Sequence, residues 1–355
     1  MHKVFRRVIF SVLSLSPFAL FANSDEWREP LPEAEPGTWQ WVDIPGTMCR
    51  DGSGAGISVN YSGDSSDVVI YLEGGGACFN NSTCRLNPKA ANKKPPKAEG
   101  IFNRLRAENP FKNYNFVYVP YCTGDVFAGN RENVRVSRSI DNQQFVGYRN
   151  MTRFLQHIAP TFVGASKVVL TGVSAGGFGS ILNYDQTKRI MGDTDVYMID
   201  DSGIPFSDQY MSSCLQSKWR DLWNMQFPED CENCRNNEGG GFINYVTYLE
   251  NKYPERDFAF ISSLSDSTIR FFYGFGRNNC RVLIPSMRSR DFRAGMLEIR
   301  DEIAYNQGRF FLFEGTAHTY LKKSKFYDVK RDGQAMNEFV SDYLEGNARN
   351  RGPAE

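Results

Sequence analysis

The residues Gly172-Val173-Ser174-Ala175-Gly176 carry the strongest chemical signal in the chain. The pattern G-x-S-x-G is that of a nucleophile elbow, a tight strand-to-helix turn that exposes a serine hydroxyl. Residues two before and two after the serine must be small, or their side chains collide across the turn. The flanks agree with this reading: Val168-Val169-Leu170 has strand character and Phe178 to Tyr184 has helical character. The bland alternative is a glycine-rich structural turn without chemistry.

A serine nucleophile needs an oxyanion hole, a base and an acid. One oxyanion donor is expected from the amide of Ala175, directly after the nucleophile. The other is expected from Gly74-Gly75-Gly76, which follows Tyr71-Leu72-Glu73, with the amides of Gly75 and Gly76 as donors. A phosphate-binding loop is the competing reading, and the Gly-Lys-Ser/Thr it requires is missing. The chain holds 3 histidines. His2 falls in an N-terminal leader and His157 in a helical pattern. His318, in Gly315-Thr316-Ala317-His318 after the last strand-like run, stands where this class of enzyme places its base. The acid belongs between Ser174 and His318. Asp266 competes with Asp200 and Asp201, and chain order favours Asp266. Asp201 then becomes a pocket-wall or structural carboxylate.

These groups need a scaffold, and the pattern supplies one. Val68 to Leu72, Phe116 to Val119, Val168 to Thr171, Val196 to Ile199, Phe258 to Ile261 and Phe310 to Phe313 are continuous apolar runs, as strands buried on both faces read. Helical segments are expected at Gln143 to Ala159, Gly176 to Arg189, Asp291 to Asn306 and Gln334 to Leu344. This alternation predicts an α/β fold, α/β-hydrolase-like, with a mostly parallel central sheet covered by helices on both faces. Ligands bind such sheets at the carboxyl ends of the strands, where every catalytic candidate lies. Lys89 to Lys97 reads as a surface loop, and residues 204–250 as a small cap or insertion over the sheet.

Residues 1–22 read as a signal peptide: Lys3, Arg6 and Arg7 precede an apolar stretch, Val8 to Ala22, that ends in small residues. The stretch is short for a membrane span, so the mature chain, 23–355, is expected as a single exported catalytic domain, secreted or periplasmic, without an integral membrane segment. Formal net charge is +0, which argues against nucleic acid or an anionic membrane as partner. The 8 cysteines suggest up to four disulfides in an oxidising compartment. Cys78 and Cys84 are spaced to close a short loop beside the site. Cys231-Glu-Asn-Cys234 reads as a disulfide rather than half of a zinc site, because no histidine lies near it.

Taken together, Leu72-Glu73-Gly74-Gly75-Gly76-Ala77-Cys78-Phe79-Asn80, Pro120-Tyr121-Cys122-Thr123-Gly124-Asp125, Gly172 to Gly177, Asp201-Ser202-Gly203, Ser265-Asp266-Ser267 and Ala317-His318 resemble the pectin acetylesterase/Notum family of carboxylesterases. The resemblance covers roughly residues 39 to 325 and, through the look of the leader, its bacterial branch. It implies a metal-free and cofactor-free Ser174-Asp266-His318 triad with oxyanion donors at Gly75, Gly76 and Ala175. Plant members of that family usually have a tryptophan where Ala77 stands, and the Notum branch has one where Gly76 stands. Ala77 is therefore expected to contact substrate, as is Asp201. The expected activity is hydrolysis of a carboxylic ester through an acyl-enzyme, on an acylated partner such as an acetylated glycan, by a monomer. Trp219 and Trp223 are either sugar-stacking surfaces or ordinary packing. The rivals are a lipase, thioesterase or acyltransferase with the same triad, and an exported binding protein with a dead site.

Overall fold

The computed structural model describes residues 29–235, 241–303 and 307–353, so the expected signal peptide lies outside the described residues. In chain order the strands are β1 (Trp39–Met48), β2 (Gly54–Asn60), β3 (Val68–Leu72), β4 (Asn115–Val119), β5 (Arg131–Val134), β6 (Gln143–Phe145), β7 (Lys167–Val173), β8 (Asp195–Asp201), β9 (Phe258–Ser263), β10 (Gly308–Phe313), β11 (Lys330–Arg331) and β12 (Gln334–Ala335). Eight of them form the central sheet, in the order β1-β2-β4-β3-β7-β8-β9-β10. From β4 to β10 every neighbour is parallel. Only β2 runs against the rest, pairing antiparallel with both β1 and β4.

Each of the six apolar runs read from the sequence falls within a strand of this sheet. Their lack of alternation has a direct cause. Val68, Ile70 and Leu72 of β3 enter one hydrophobic core, and Val69 and Tyr71 enter another on the opposite face. Both faces are buried, so both sets of side chains are apolar.

The helices depart from the sequence reading at their starts. The segment expected to be helical from Gln143 begins its helix at Gly147, whose amide donates to the buried Asp125 carboxylate (2.7 Å). Residues Gln143–Phe145 instead pair with β5 as an antiparallel ribbon. The helix after the elbow is two helices, Ala175–Leu182 and Tyr184–Met191, broken at Asn183. The Asn183 amide group donates to the carbonyls of Phe127 and Gly179 there. Gln334 and Ala335 form β12 before the helix Met336–Leu344. The helix expected from Asp291 is Ser289–Glu298, followed by a wide turn at Ile299–Ile303.

In the segment 204–250, the helix Ser213–Trp223 packs beside the glycine-rich loop after β3, whereas the helix Ile243–Lys252 reaches Asp185 through Lys252. The Trp223 indole donates to the carbonyl of Cys78 (2.8 Å), and Trp219 packs on Phe79 and Phe178. Both indoles are buried. They are packing anchors, and the sugar-stacking alternative for them falls.

All eight cysteines are paired, as Cys49–Cys122, Cys78–Cys84, Cys214–Cys280 and Cys231–Cys234. Cys49–Cys122 spans 73 residues of sequence and ties the loop after β1 to the loop after β4. Closing a loop of that size stabilises the fold by about 4 kcal/mol in the chain-entropy account. Replacing both cysteines by serine is expected to lower the unfolding free energy by about 2–4 kcal/mol, read from the urea midpoint at unchanged slope. An unchanged midpoint contradicts a stabilising role.

Candidate active site

Ser174 follows directly on β7 and precedes the helix Ala175–Leu182, with φ 58° and ψ −119°. Side chains rarely adopt this backbone, and it aims the serine out of the turn. The flanking glycines are a steric necessity. A Cβ on Gly172 would lie 2.3 Å from the Gly176 carbonyl oxygen, and one on Gly176 would lie 2.0 Å from that of Leu72. The elbow is thus pressed against the end of β3. The Ser174 amide is held by the carbonyl of Asp201 at 2.8 Å.

His318 lies on the loop after β10, and its Nδ1 is 2.7 Å from Oδ2 of Asp266. Asp266 is fully buried. Its other oxygen, Oδ1, accepts the amides of Thr268 (2.9 Å) and Ile269 (3.0 Å), capping the helix Ser267–Arg277. One carboxylate therefore does two jobs. The helix N-terminus fixes its position and favours its negative charge, and the free oxygen faces the imidazole. The His318 backbone is held in turn, since Lys323 Nζ donates to its carbonyl at 2.7 Å and Ser263 Oγ donates to that of Ala317 at 2.6 Å.

Asp200 and Asp201, the competing acids, are placed differently. Asp201 accepts the amides of Tyr320 (2.6 Å) and Leu321 (2.8 Å) on Oδ2 and the Ser202 hydroxyl on Oδ1 (2.8 Å). It is completely buried, so the expectation that it contacts substrate is corrected: it braces the site from beneath. Burial raises its pKa, against those donors. Asp200 lies under the elbow, its Oδ1 buried without a hydrogen-bond partner. Burial, then the neighbouring Asp201, pushes its pKa well above the ordinary carboxylate value.

A cavity of about 330 Å3 opens over these groups. Ser174, His318, Gly74, Gly75, Gly76 and Ala77 all line it, with Leu86, Asn87, Phe272 and Lys322. The glycine-rich loop is pinned by its carbonyls. Asn87 Nδ2 donates to Gly75 (2.7 Å) and the Tyr121 hydroxyl to Gly76 (2.8 Å). A trans peptide points its C=O and N–H in opposite directions, so these bonds turn the amides of Gly76 and Ala77 away from Asn87 and Tyr121. The Ala175 amide lies at the helix N-terminus, across the elbow from this loop. A second, apolar niche adjoins Ser174, with room of about 10 Å3 between Ala77, Ala175, Phe178, Trp219, Ile269 and Phe272.

The model of the family described as pectinacetylesterase matches residues 40–247. The chain belongs to that family. This family member is 30% identical over 211 residues to palmitoleoyl-protein carboxylesterase notum2 of Xenopus laevis, covering 52% of this chain and 42% of the relative. It is 33% identical over 152 residues to the human palmitoleoyl-protein carboxylesterase NOTUM, covering 40% of this chain and 30% of that one. The matched region is thus less than half the length of these relatives. Its fold is that of the Wnt deacylase Notum from Drosophila, at a TM-score of 0.68 and 20% identity, covering 89% of this chain and 95% of that chain.

Sequence reasoning did not single out Asn87, Phe272, Lys322 or Lys323. Asn87 and Phe272 lie a few residues past Cys84 and Ser267, outside the motifs themselves, and meet the site only through folding. Tyr121 was visible within the Pro120-Tyr121-Cys122 segment, without a role.

The raised pKa of Asp200 has a testable consequence. A carboxyl whose folded pKa is raised destabilises the fold as pH climbs from its unfolded value towards its folded one. Asp200→Asn is expected to keep its activity and to gain melting temperature over the parent at about pH 8, with a smaller gain at about pH 5. Equal gains at both pH values, or a loss at the higher one, would contradict a raised Asp200 pKa.

Proposed function

We propose that this protein is an exported serine carboxylesterase that removes O-acetyl groups from a polysaccharide through an acyl-enzyme. The observation that carries the reading is that Ser174 and His318 line the same cavity while Asp266 holds the far side of the imidazole.

In this mechanism Ser174 Oγ attacks the ester carbonyl while His318 Nε2 takes its proton. Asp266 accepts the Nδ1–H and stabilises the imidazolium. The new oxyanion lies between the amide of Ala175 and those of the Gly75-Gly76 segment. Collapse breaks the bond to the sugar oxygen, which leaves with the proton from His318. Water then adds to the acetyl-enzyme with His318 as base, and acetate departs as Ser174 regains its proton. No metal or cofactor enters any step.

The acyl preference follows from the niche beside Ser174. Room of about 10 Å3 suits one water- or methyl-sized group. Phe272 walls both niche and cavity. Its ring Cζ stands 2.9 Å from where a Cβ on Gly76 would be. A tryptophan there, as in the Notum branch, would have to displace the Phe272 ring, which reaches this volume from the helix Ser267–Arg277. On the leaving-group side the cavity is open, and Lys322 offers a cation to an acidic or hydroxylated polymer. The four disulfides suit the oxidising compartment an exported enzyme reaches.

Ser174→Ala and His318→Ala are each expected to lower kcat on p-nitrophenyl acetate by about 10^4-fold or more. Parent-like rates in either variant would favour the exported binding protein.

Rates on p-nitrophenyl esters should fall about tenfold or more from acetyl to butyryl. Phe272→Ala should raise the butyryl-to-acetyl ratio by about tenfold. A parent enzyme as fast on octanoyl as on acetyl esters would instead favour a fatty-acyl substrate, as in the names of the vertebrate relatives.

A further inference from the structure

We propose that Asp201 is a positioning residue that sets the nucleophile and the base relative to one another. The proposal rests on the reading of Ser174 and His318 given above and goes beyond it.

Asp201 ends β8, the strand between the one that carries Ser174 and the one that leads to Asp266. It lies opposite Val173 of β7 and Ile261 of β9 in register. Three attachments leave from this one position. Its main-chain carbonyl accepts the amide of Ser174 (2.8 Å). Its carboxylate accepts the amides of Tyr320 and Leu321 (2.6 and 2.8 Å), the second and third residues after His318. The next amide, that of Ser202, donates to Ile261 of β9 (2.9 Å). One residue therefore holds the nucleophile through its backbone and the base through its side chain.

The base loop needs such a clamp. It leaves the sheet edge after β10, and Thr319 has a positive φ of 63°. Tyr320 and Leu321 are buried, so their amides must find acceptors in the protein or cost free energy as orphans. No β-ladder reaches them there. The Asp201 carboxylate at the end of β8, two strands in from β10, takes both at once, with its second oxygen locked by Ser202. Loss of that acceptor frees the loop at the point that sets the imbalance between catalysis and mere folding: the imidazole shifts against a serine whose own amide stays fixed. A displacement of order 1 Å at a reacting group costs about 10²-fold in rate.

The test uses Asp201→Ala and Asp201→Asn, each in the parent and in the His318→Ala background, with p-nitrophenyl acetate as substrate. In the parent, Asp201→Ala should lower kcat by about 10²-fold with KM changed less than about threefold. Asp201→Asn keeps an oxygen that accepts both amides and should restore kcat to within about fivefold of the parent. In the His318→Ala background, Asp201→Ala should change the residual rate by less than about threefold, because residues that act as a unit are not additive. Asp201→Ala at the parental kcat, or an equal loss in both backgrounds, overturns the proposal, since a purely structural prop would act regardless of His318. If Asp201→Ala does not fold, Asp201→Ser replaces it, being too short to reach both amides, with the same outcomes read. His318→Ala at the parental rate would instead overturn the underlying reading of the site.

Discussion

The site depends on a serine whose backbone is held in a conformation that side chains seldom adopt. Ser174 at φ 58° is sustained from three directions. Gly172 and Gly176 allow the turn to close against β3, and the Asp201 carbonyl takes the Ser174 amide. Strain of this kind costs of order 1–3 kcal/mol and persists only where neighbours over-determine it. The flanking strands β3 and β8 provide that rigidity. The sheet is therefore the device that keeps a reactive hydroxyl aimed at one cavity, as well as the core of the fold.

The same economy recurs at each supporting residue. Asp266 caps a helix with one oxygen and meets His318 with the other. Asp201 joins a strand end to the base loop. Asn87 and Tyr121 each grip one carbonyl of the glycine-rich loop. Asp200 and Asp201 are adjacent buried acids with opposite surroundings. Asp201 receives three donors to its carboxylate, whereas Asp200 has an oxygen without any, and burial raises the Asp200 pKa well above its ordinary value.

Much of this was legible in the sequence, for reasons that are local. Strands buried on both faces read as unbroken apolar runs, so the six core strands announced themselves. The elbow glycines are required within five consecutive residues, and the shortage of histidines left one candidate base. Helix starts were harder, because they turn on distant partners such as Asp125 for Gly147 and Phe127 for Asn183. Asp201 stood out as an acid after a strand, yet its role is decided by amides about 120 residues further on. Phe272 gave no signal at all. Its importance lies in where its ring stands relative to Gly76, a relation between a helix and a loop that meet only in three dimensions.

The central claim is that Ser174, backed by His318 and Asp266 and facing the amides of Ala175 and the glycine-rich loop, forms the acyl-enzyme. A crystal structure of the protein after treatment with a small fluorophosphonate tests it most directly. The account predicts phosphorus bonded to Ser174 Oγ after loss of fluoride, with its phosphoryl oxygen roughly 2.7–3.1 Å from the Ala175 amide and an amide of the glycine-rich loop. Its small substituent should enter the niche beside Phe272. An unmodified Ser174, or an adduct whose oxygen meets neither set of amides, would contradict it.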